Sequence, residues 1–247
     1  MNPQKRHYFS YPLFILISIF TFAPAAGAET LLLGGYSGND DSDHYGYIGA
    51  IIPMWGSTLA NDGWRLRFWA DYLSFTYDGT LAGGATGTPT EFEGDGPGVQ
   101  GALGYQWSYS STGKSTTYIG LQWHDIDVDP ADPANDTEDE DLSVKIQEEI
   151  TQQLTSNIDV SLIGSYAPSY KDYWARLRPG YALGNGWKVG PEVIIYGGDE
   201  FTKQRYGAFL GGIKLGNLGI GFSLGLEEES STDDDAFYGT ISLSTVF

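Results

Sequence analysis

The residues most able to carry chemistry in this chain are its histidines, and one of them, His124, stands next to an acid, Asp125. A histidine beside a carboxylate could act as a general base, yet hydrolysis also needs a nucleophile within hydrogen-bond reach. The sequence places no serine beside His124, and His44 falls in an acidic segment that reads as a loop. We therefore expect no catalytic residues and interpret His124 as a hydrogen-bonding side chain.

A second candidate for chemistry is the carboxylate-rich stretch "DIDVDPADPANDTEDED", which begins at Asp125. Read as a calcium-binding loop, it places Asp127 and Asp129 at ligand positions. The sixth position is Pro130 instead of glycine, and the twelfth is Asp136 instead of glutamate. We therefore predict no defined metal site and no cofactor. A weak, water-rich Ca²⁺ or Mg²⁺ site and a solvated acidic loop remain the two alternatives.

A third group of residues is polar or basic and recurs at every second position of several stretches, so that its members share one face. It contains most of the lysines and arginines that follow residue 28. These residues could interlock as ion pairs, or they could present amide, guanidinium and phenol groups to sugar hydroxyls. The candidate contact residues for a glucan are Arg65, Arg67, Asp71, Gln106, Tyr118, Gln122, Lys145, Arg176, Arg178 and Arg205. Gln100, Gln147, Glu149, Lys188 and Glu192 share their parity.

The N-terminus has the pattern of a secretory signal peptide. Lys5 and Arg6 precede the apolar run "LFILISIFTFA", and Ala26-Gly27-Ala28 supplies small residues for cleavage. The run is about 11 residues, whereas a membrane-spanning helix needs about 20. We predict that residues 1–28 are removed and that residues 29–247 form one domain; the alternative is a short membrane anchor.

Charge and cysteine content narrow the possible partners. Removing residues 1–28 takes away two of the 13 basic residues and none of the 32 acidic ones, so the net charge becomes 11 − 32 = −21. Such a charge argues against nucleic acid as a partner. The chain has no cysteine, so a disulfide framework is excluded.

The elements that must position these residues are strands. Twelve segments alternate between apolar and polar residues, each over roughly 10 residues, which is the length of a tilted bilayer-crossing strand. The segment "VKIQEEITQQL" could also be a helix, and Glu148 interrupts its apolar face. The predicted strands are 31–37, 45–54, 63–77, 98–109, 116–128, 142–151, 157–166, 173–183, 186–196, 205–214, 218–227 and 237–247.

The connections between these strands separate a barrel from a soluble sandwich. Connections after odd strands are long or acidic, such as "DPADPANDTEDED", whereas those after even strands are short, such as "SSTGKS" and "GN". Outer-membrane barrels have this asymmetry, with short periplasmic turns and longer extracellular loops. The chain also ends on an amphipathic strand with a terminal Phe247. We therefore predict an all-β fold: a single antiparallel transmembrane barrel of about twelve strands, with its acidic loops outside the cell and its interior filled by polar side chains.

Four segments of the chain resemble the BcsS family of cellulose biosynthesis proteins: "DGWRLRFWADYLSFTY", "GALGYQW", "YIGLQWHDIDVDPADPAND" and "VKIQEEI". The matching positions are Gly63-Trp64, Gly104-Tyr105-Gln106, Asp132-Pro133-Ala134-Asn135 and residues 145–148. The resemblance implies an outer-membrane β-barrel linked to bacterial cellulose production, with no catalytic residues to carry over.

Two classes of function remain open at this point. The first is an accessory barrel that aids export or surface anchoring of cellulose, with outer-membrane lipid, cellulose and the cellulose-export machinery as partners. The second is a general small porin or surface-adhesion barrel. A third, a lipid-modifying barrel enzyme, is disfavoured because no serine accompanies His124.

Overall fold

The computed structural model describes residues 29–79, 90–131, 139–169, 171–198, 201–229 and 235–247, so the predicted signal peptide lies outside the described residues. No helix in these ranges is long and apolar enough to cross a membrane. The strands are β1 (Leu31–Asn39), β2 (His44–Pro53), β3 (Gly63–Gly79), β4 (Thr90–Ser110), β5 (Gly113–Asp129), β6 (Asp139–Gln153), β7 (Ile158–Ala167), β8 (Asp172–Gly184), β9 (Trp187–Gly197), β10 (Thr202–Leu215), β11 (Leu218–Glu229) and β12 (Asp235–Val246).

The twelve strands close into one antiparallel barrel, as predicted. Each strand pairs with its neighbours in sequence, and β1 closes the ring against β12, from the pair Leu31↔Val246 to the pair Asn39↔Tyr238. Thr30 and Phe247 then exchange two backbone hydrogen bonds of 2.9 and 3.1 Å. The closed ring leaves no strand edge without a partner, a requirement for backbone in lipid.

The barrel has an apolar outer face and a polar interior. Ile119 and Leu121 are 58% and 51% exposed, whereas Arg65 and Gln122 are each 1% exposed. Exposed aliphatic side chains and buried charges are the reverse of a soluble protein and match a wall that faces lipid. A closed barrel with this exterior lies in the outer membrane of a Gram-negative bacterium.

The start of β1 and the end of β12 lie at one rim, together with the connections formed by residues 54–62, 111–112, 154–157, 185–186 and 216–217. In outer-membrane barrels this is the periplasmic rim. The connection at 185–186 has the expected chemistry of a tight turn, because Asn185 and Gly186 both have positive φ, at 54° and 82°.

Two predictions about the opposite rim were wrong. β4 begins at Thr90 instead of residue 98, so that part of the predicted long loop is strand. Its inward Phe92 is fully buried against Ile126 and Val128. The glycines that follow Phe92 on the same parity carry no side chain, which hid the alternation. His44, interpreted as a loop residue, is the first residue of β2 and lies 2.8 Å from the Tyr36 hydroxyl.

The ambiguous segment "VKIQEEITQQL" is a strand and not a helix, since it belongs to β6. Its outward residues keep the alternation: Ile146 pairs with Ile119 of β5, and Glu148 pairs with Thr117. The alternation of apolar residues was thus a better guide than the helix-forming glutamates and glutamines, because neighbouring strands override local propensity.

Candidate functional site

Four inward polar residues from three adjacent strands form what we call the lumen cluster: Arg67 and Asp71 of β3, Gln100 of β4 and Gln122 of β5. Gln100 is half-buried and the other three are buried. Gln100 and Gln122 pair directly across the sheet. Arg67 Nε, Asp71 Oδ1, Gln100 Oε1 and Gln122 Oε1 are buried atoms without a hydrogen-bond partner among the described residues. Buried polar atoms are nearly always satisfied, so these four atoms have hydrogen-bonding capacity that the described side chains do not use.

His124 joins this region from β5. Its Nε2 lies 3.4 Å from Asp71 Oδ2, and both side chains are largely buried. The pair fits because Gly98 lies between them: a Cβ there would stand 2.1 Å from the His124 ring and 2.6 Å from the Asp71 carboxylate. His124 therefore supports the lumen cluster as a polar neighbour, consistent with its interpretation as a hydrogen-bonding side chain.

Aromatic rings border the lumen cluster. Trp69 stacks on Tyr47 with ring centroids 4.5 Å apart, and its indole nitrogen donates to the Tyr45 hydroxyl at 3.2 Å. The guanidinium of Arg67 lies 4.5 Å from the Trp69 ring centre. Trp69 can lie flat on the wall because Gly49 is opposite; a Cβ at Gly49 would stand 2.2 Å from the ring. Sequence reasoning missed these three aromatics, although Trp69 shares the parity of Arg67.

Arg67 also ties the lumen cluster to β5 and β6. It donates to Gln147 Oε1 at 2.8 Å, and its guanidinium lies 5.8 Å from the Tyr118 ring centre. Gln147 in turn donates to Glu149 at 2.6 Å. The predicted residues of β3, β5 and β6 are thus brought together on one side of the interior.

The other side of the interior is an interlocked network, which we call the ion-pair network. Arg178 binds Glu192 and donates to Ser223 at 2.9 Å, while Arg205 binds Glu227 and donates to Ser37 at 3.0 Å. These contacts join β8, β9, β10, β11 and β1. Two further hydroxyls donate into it, from Tyr238 to Glu192 at 3.1 Å and from Tyr196 to Glu227 at 2.8 Å. Interlocked charges of this kind fill a small barrel.

Two predicted residues belong to neither group. Arg176 places its guanidinium 5.4 Å from the Trp174 ring centre. Lys145 of β6 pairs with Gly120 of β5, where no side chain stands opposite it. Both keep the inward parity that the sequence predicted, and their contact with glucan stays a prediction.

Arg65 has a different environment, because it holds the connection between β2 and β3. We call residues 54–62 the periplasmic strap. Arg65 donates to Ser57 Oγ at 2.9 Å, to the Thr58 carbonyl at 2.6 Å and to the Asn61 carbonyl at 2.5 Å. The predicted candidate Gln106 also binds the strap, at 3.0 Å from the Asn61 carbonyl.

Further contacts hold the strap over the inward faces of β4 and β5. Lys114 donates to the Ala60 carbonyl, and Ser108 donates to Asp62 at 2.7 Å. The hydrogen bond from Ser108 lowers the pKa of Asp62 below its ordinary value. The strap therefore covers the part of the periplasmic mouth that is formed by β3 to β5.

A cavity of about 370 Å³ lies at the periplasmic rim beside β6 to β9. Thr151, Gln153 and Ser161 line it, together with Lys188 and Asp159, which form an ion pair. Hydroxyl, amide and charged groups thus line this part of the rim, next to the strap.

The described residues contain no group of three histidines, cysteines or acids that could hold a metal ion. Asp125, Asp127 and Asp129 lie at the extracellular end of β5. Residues 132–138, which include Asp132-Pro133-Ala134-Asn135 and Asp136, lie outside the described ranges.

Several solved structures share this fold. One is the COG4313 outer-membrane channel from Pseudomonas putida F1, at a TM-score of 0.59 and 12% identity, covering 91% of this chain and 97% of that one. A second is the KdgM porin, at 0.50 and 10% identity over 88% of this chain and 99% of that one. A third is the transport unit of the autotransporter AIDA-I from Escherichia coli, at 0.51 and 9% identity over 94% of each chain. At these identities the likeness concerns the fold alone.

The comparison with curated proteins gave no match. A family model described as "cellulose biosynthesis protein BcsS" matches residues 34–247, which include all twelve strands except the first three residues of β1. The match extends well beyond residues 62–150, where the resemblance is visible in the sequence. The chain belongs to the BcsS family of cellulose biosynthesis proteins.

Proposed function

We propose that this barrel is a non-catalytic accessory protein of cellulose production that binds glucan in its lumen and aids its export or its anchoring at the cell surface. The observation that carries the proposal is the lumen cluster, Arg67, Asp71, Gln100 and Gln122, with four polar atoms that no described residue satisfies. Family membership supplies the polymer, a β-linked glucan.

The chemistry of the lumen cluster suits a neutral sugar. Amide oxygens accept hydrogen bonds from sugar hydroxyls, and the guanidinium donates to them, so both kinds of polar group are available. Trp69 and Tyr47 add flat apolar surface beside these groups. Acidic residues at the extracellular ends of β4 and β5, such as Asp95 and Asp127, would repel anionic polymers and leave a neutral one unaffected.

The two sides of the interior have different roles: one is a scaffold and the other is the binding surface. The ion-pair network has its donors and acceptors engaged with each other, so it serves as a scaffold. The lumen cluster retains capacity for a ligand. The strap and the adjoining cavity set the size of the periplasmic opening through which a glucan chain would enter.

The test is the double variant Gln100→Leu plus Gln122→Leu, expressed in cells that lack the native gene. Leucine has a similar size, so the barrel keeps its shape but loses two amide groups from the lumen cluster. We expect less cellulose at the cell surface at equal amounts of folded barrel. The matched control is Gln204→Leu, which changes an outward glutamine of β10 that binds Tyr206.

Deletion of the gene tests whether the barrel has any role in cellulose production. Unchanged cellulose output and unchanged attachment in the deletion strain would rule out the accessory role. Loss of cellulose in the deletion strain together with normal cellulose in the double variant would place the binding surface elsewhere in the barrel.

Ion conductance of the purified barrel in planar bilayers separates a general porin from a glucan-specific barrel, because a porin conducts without any effect of added cello-oligosaccharide.

A further inference from the structure

A carboxylate faces lipid on the outside of the barrel wall. Glu148 lies on the outward parity of β6, between Ile146 and Ile150. Among the acids in the described strands, Glu148 alone has apolar outward residues on both sides along its own strand. An ionisable side chain in such a place is costly and therefore marks a functional position with a specific partner.

Two hydroxyl groups orient this carboxylate. Ser115 donates to one oxygen of Glu148 and Thr117 donates to the other, both from the neighbouring strand β5. We call these three residues the wall cluster. Each carboxylate oxygen can accept a second hydrogen bond, so the wall cluster retains acceptor capacity.

The surroundings of the wall cluster leave space on one side and aromatic surface on the other. Gly164 of β7 pairs with Glu148, and a Cβ there would meet nothing closer than 4.0 Å. On the far side of β5, Tyr105 pairs with Thr117 and Trp107 pairs with Ser115. Both rings are exposed on the outer face. An open notch with a carboxylate and neighbouring aromatic rings is a favourable site for a cation.

The height of the wall cluster along the barrel indicates which membrane leaflet could supply a cationic group to it. Glu148 lies five residues before the end of β6 at Gln153, on the periplasmic half of the wall. At about 3.3 Å per residue and a strand tilt near 40°, this is about 13 Å above the periplasmic rim. Polar residues in a membrane wall thin the bilayer locally, and such thinning brings the headgroups of the periplasmic leaflet within reach of Glu148.

The strands around the wall cluster do not offer a positive charge on the same face. Lys114 and Lys145, the lysines of β5 and β6, lie on the inward parity, and Lys114 donates to the strap. A second copy of this barrel would present the same outward face, with a carboxylate and no lysine of these two strands. Charge complementarity therefore favours a lipid over a second copy.

We propose that the wall cluster is a binding site for the ammonium headgroup of an ethanolamine phospholipid of the periplasmic leaflet. The primary ammonium donates hydrogen bonds to the free acceptor positions of Glu148, while the acyl chains lie along the apolar wall formed by Ile146 and its neighbours. Ser115 and Thr117 fix the carboxylate in the orientation that accepts it. Glucan binding in the lumen is not required for this site.

The test compares the full mature barrel with the variant Glu148→Gln in nanodiscs that contain equal amounts of phosphatidylethanolamine and phosphatidylglycerol. Lipid that stays bound after transfer to detergent is counted by native mass spectrometry. We expect one retained ethanolamine lipid for the native barrel and about tenfold weaker retention for Glu148→Gln, the size of one charge-assisted hydrogen bond. Glu228→Gln, which neutralises an outward acid at the extracellular end of β11, is the matched control and retains the lipid.

Heat-modifiable migration on gels shows whether each variant is folded. If Glu148→Gln does not fold, Thr117→Val keeps the charge but removes one orienting hydroxyl, and it is expected to weaken retention by about threefold. Three results would overturn the proposal: equal retention by native and variant barrels, equal retention of phosphatidylglycerol, or a loss of dimers in Glu148→Gln with lipid retention unchanged. The last result would assign the wall cluster to contact with a second copy.

Discussion

The periplasmic strap should open when Arg65 is replaced by methionine. Methionine keeps much of the length of the side chain but removes the guanidinium, which holds Ser57, Thr58 and Asn61. The strap then loses its central donor, while Gln106 and the β-strands beneath it remain in place. We therefore expect a local change at the periplasmic mouth and an intact barrel.

The size of the effect follows from the three hydrogen bonds. Each hydrogen bond to a charged group contributes about 1.5–3 kcal/mol when the partner is buried. Water can replace the donor at the rim, so the sum must be discounted, and we take about 2–4 kcal/mol for closure of the strap. At 1.4 kcal/mol per factor of ten, the ratio of closed to open strap falls by roughly 30- to 700-fold.

Conductance across planar bilayers measures this change directly. Opening of the strap widens the periplasmic mouth, so Arg65→Met should conduct more than the native barrel, and Arg65→Lys should lie between them because it keeps the charge but not the forked geometry. The matched control is Lys188→Met, which removes a charge from the same mouth without touching the strap. Equal conductance of folded native and Arg65→Met barrels would refute the assignment of the strap as the element that narrows the mouth.

Three further predictions test other parts of the fold. Gly49→Val should displace Trp69 and destabilise the barrel by about 1–3 kcal/mol, seen as a lower urea midpoint, because a Cβ there would stand 2.2 Å from the ring. The lowered pKa of Asp62 means that its hydrogen bond with Ser108 stabilises the closed strap above the ordinary carboxyl pKa of about 4. This stabilisation is lost as the pH falls below that value and Asp62 becomes protonated. Conductance should therefore stay constant from pH 7 to about 4 and rise under more acidic conditions. A tag inserted after Asp136 should be accessible on intact cells, and protection of the tag there would reverse the assignment of the rims.

The barrel itself was predictable because its determinants are repeated in every strand. Alternation with period two, connections of unequal length and an even strand count together specify a closed sheet, and each strand adds independent support. The errors occurred where the repeat is interrupted. β4 was predicted to begin eight residues too late because its first eight residues place glycines at Gly94 and Gly96 on the inward face, so the apolar Phe92 stands alone in the pattern.

The lumen was predictable in its polarity but not in its division into two sides. Parity places Arg65, Arg67 and Arg178 on the same face, and nothing in their spacing separates a residue that holds the strap from one in the ion-pair network. Their partners come from strands that are distant in sequence, such as Gln147 for Arg67 and Ser223 for Arg178. Barrel closure brings these strands together, and a sequence pattern does not specify which side chains then meet.

Inside this barrel, the number of hydrogen-bond partners that a polar side chain has within the protein distinguishes scaffold residues from residues of the proposed binding surface. An arginine whose guanidinium is bound by a carboxylate and a hydroxyl, as Arg178 is by Glu192 and Ser223, would lose those contacts on binding a sugar, so a ligand gains little there. Gln122 has a buried amide oxygen for which the described part of the chain supplies no partner, and the cost of its desolvation is already included in the folded state. A sugar hydroxyl that donates a hydrogen bond to this oxygen offsets the cost of its desolvation. The same reasoning on the outer wall distinguishes Glu148, whose two hydroxyl partners leave acceptor positions free, and it places both proposed sites where the fold itself leaves polar groups incompletely satisfied.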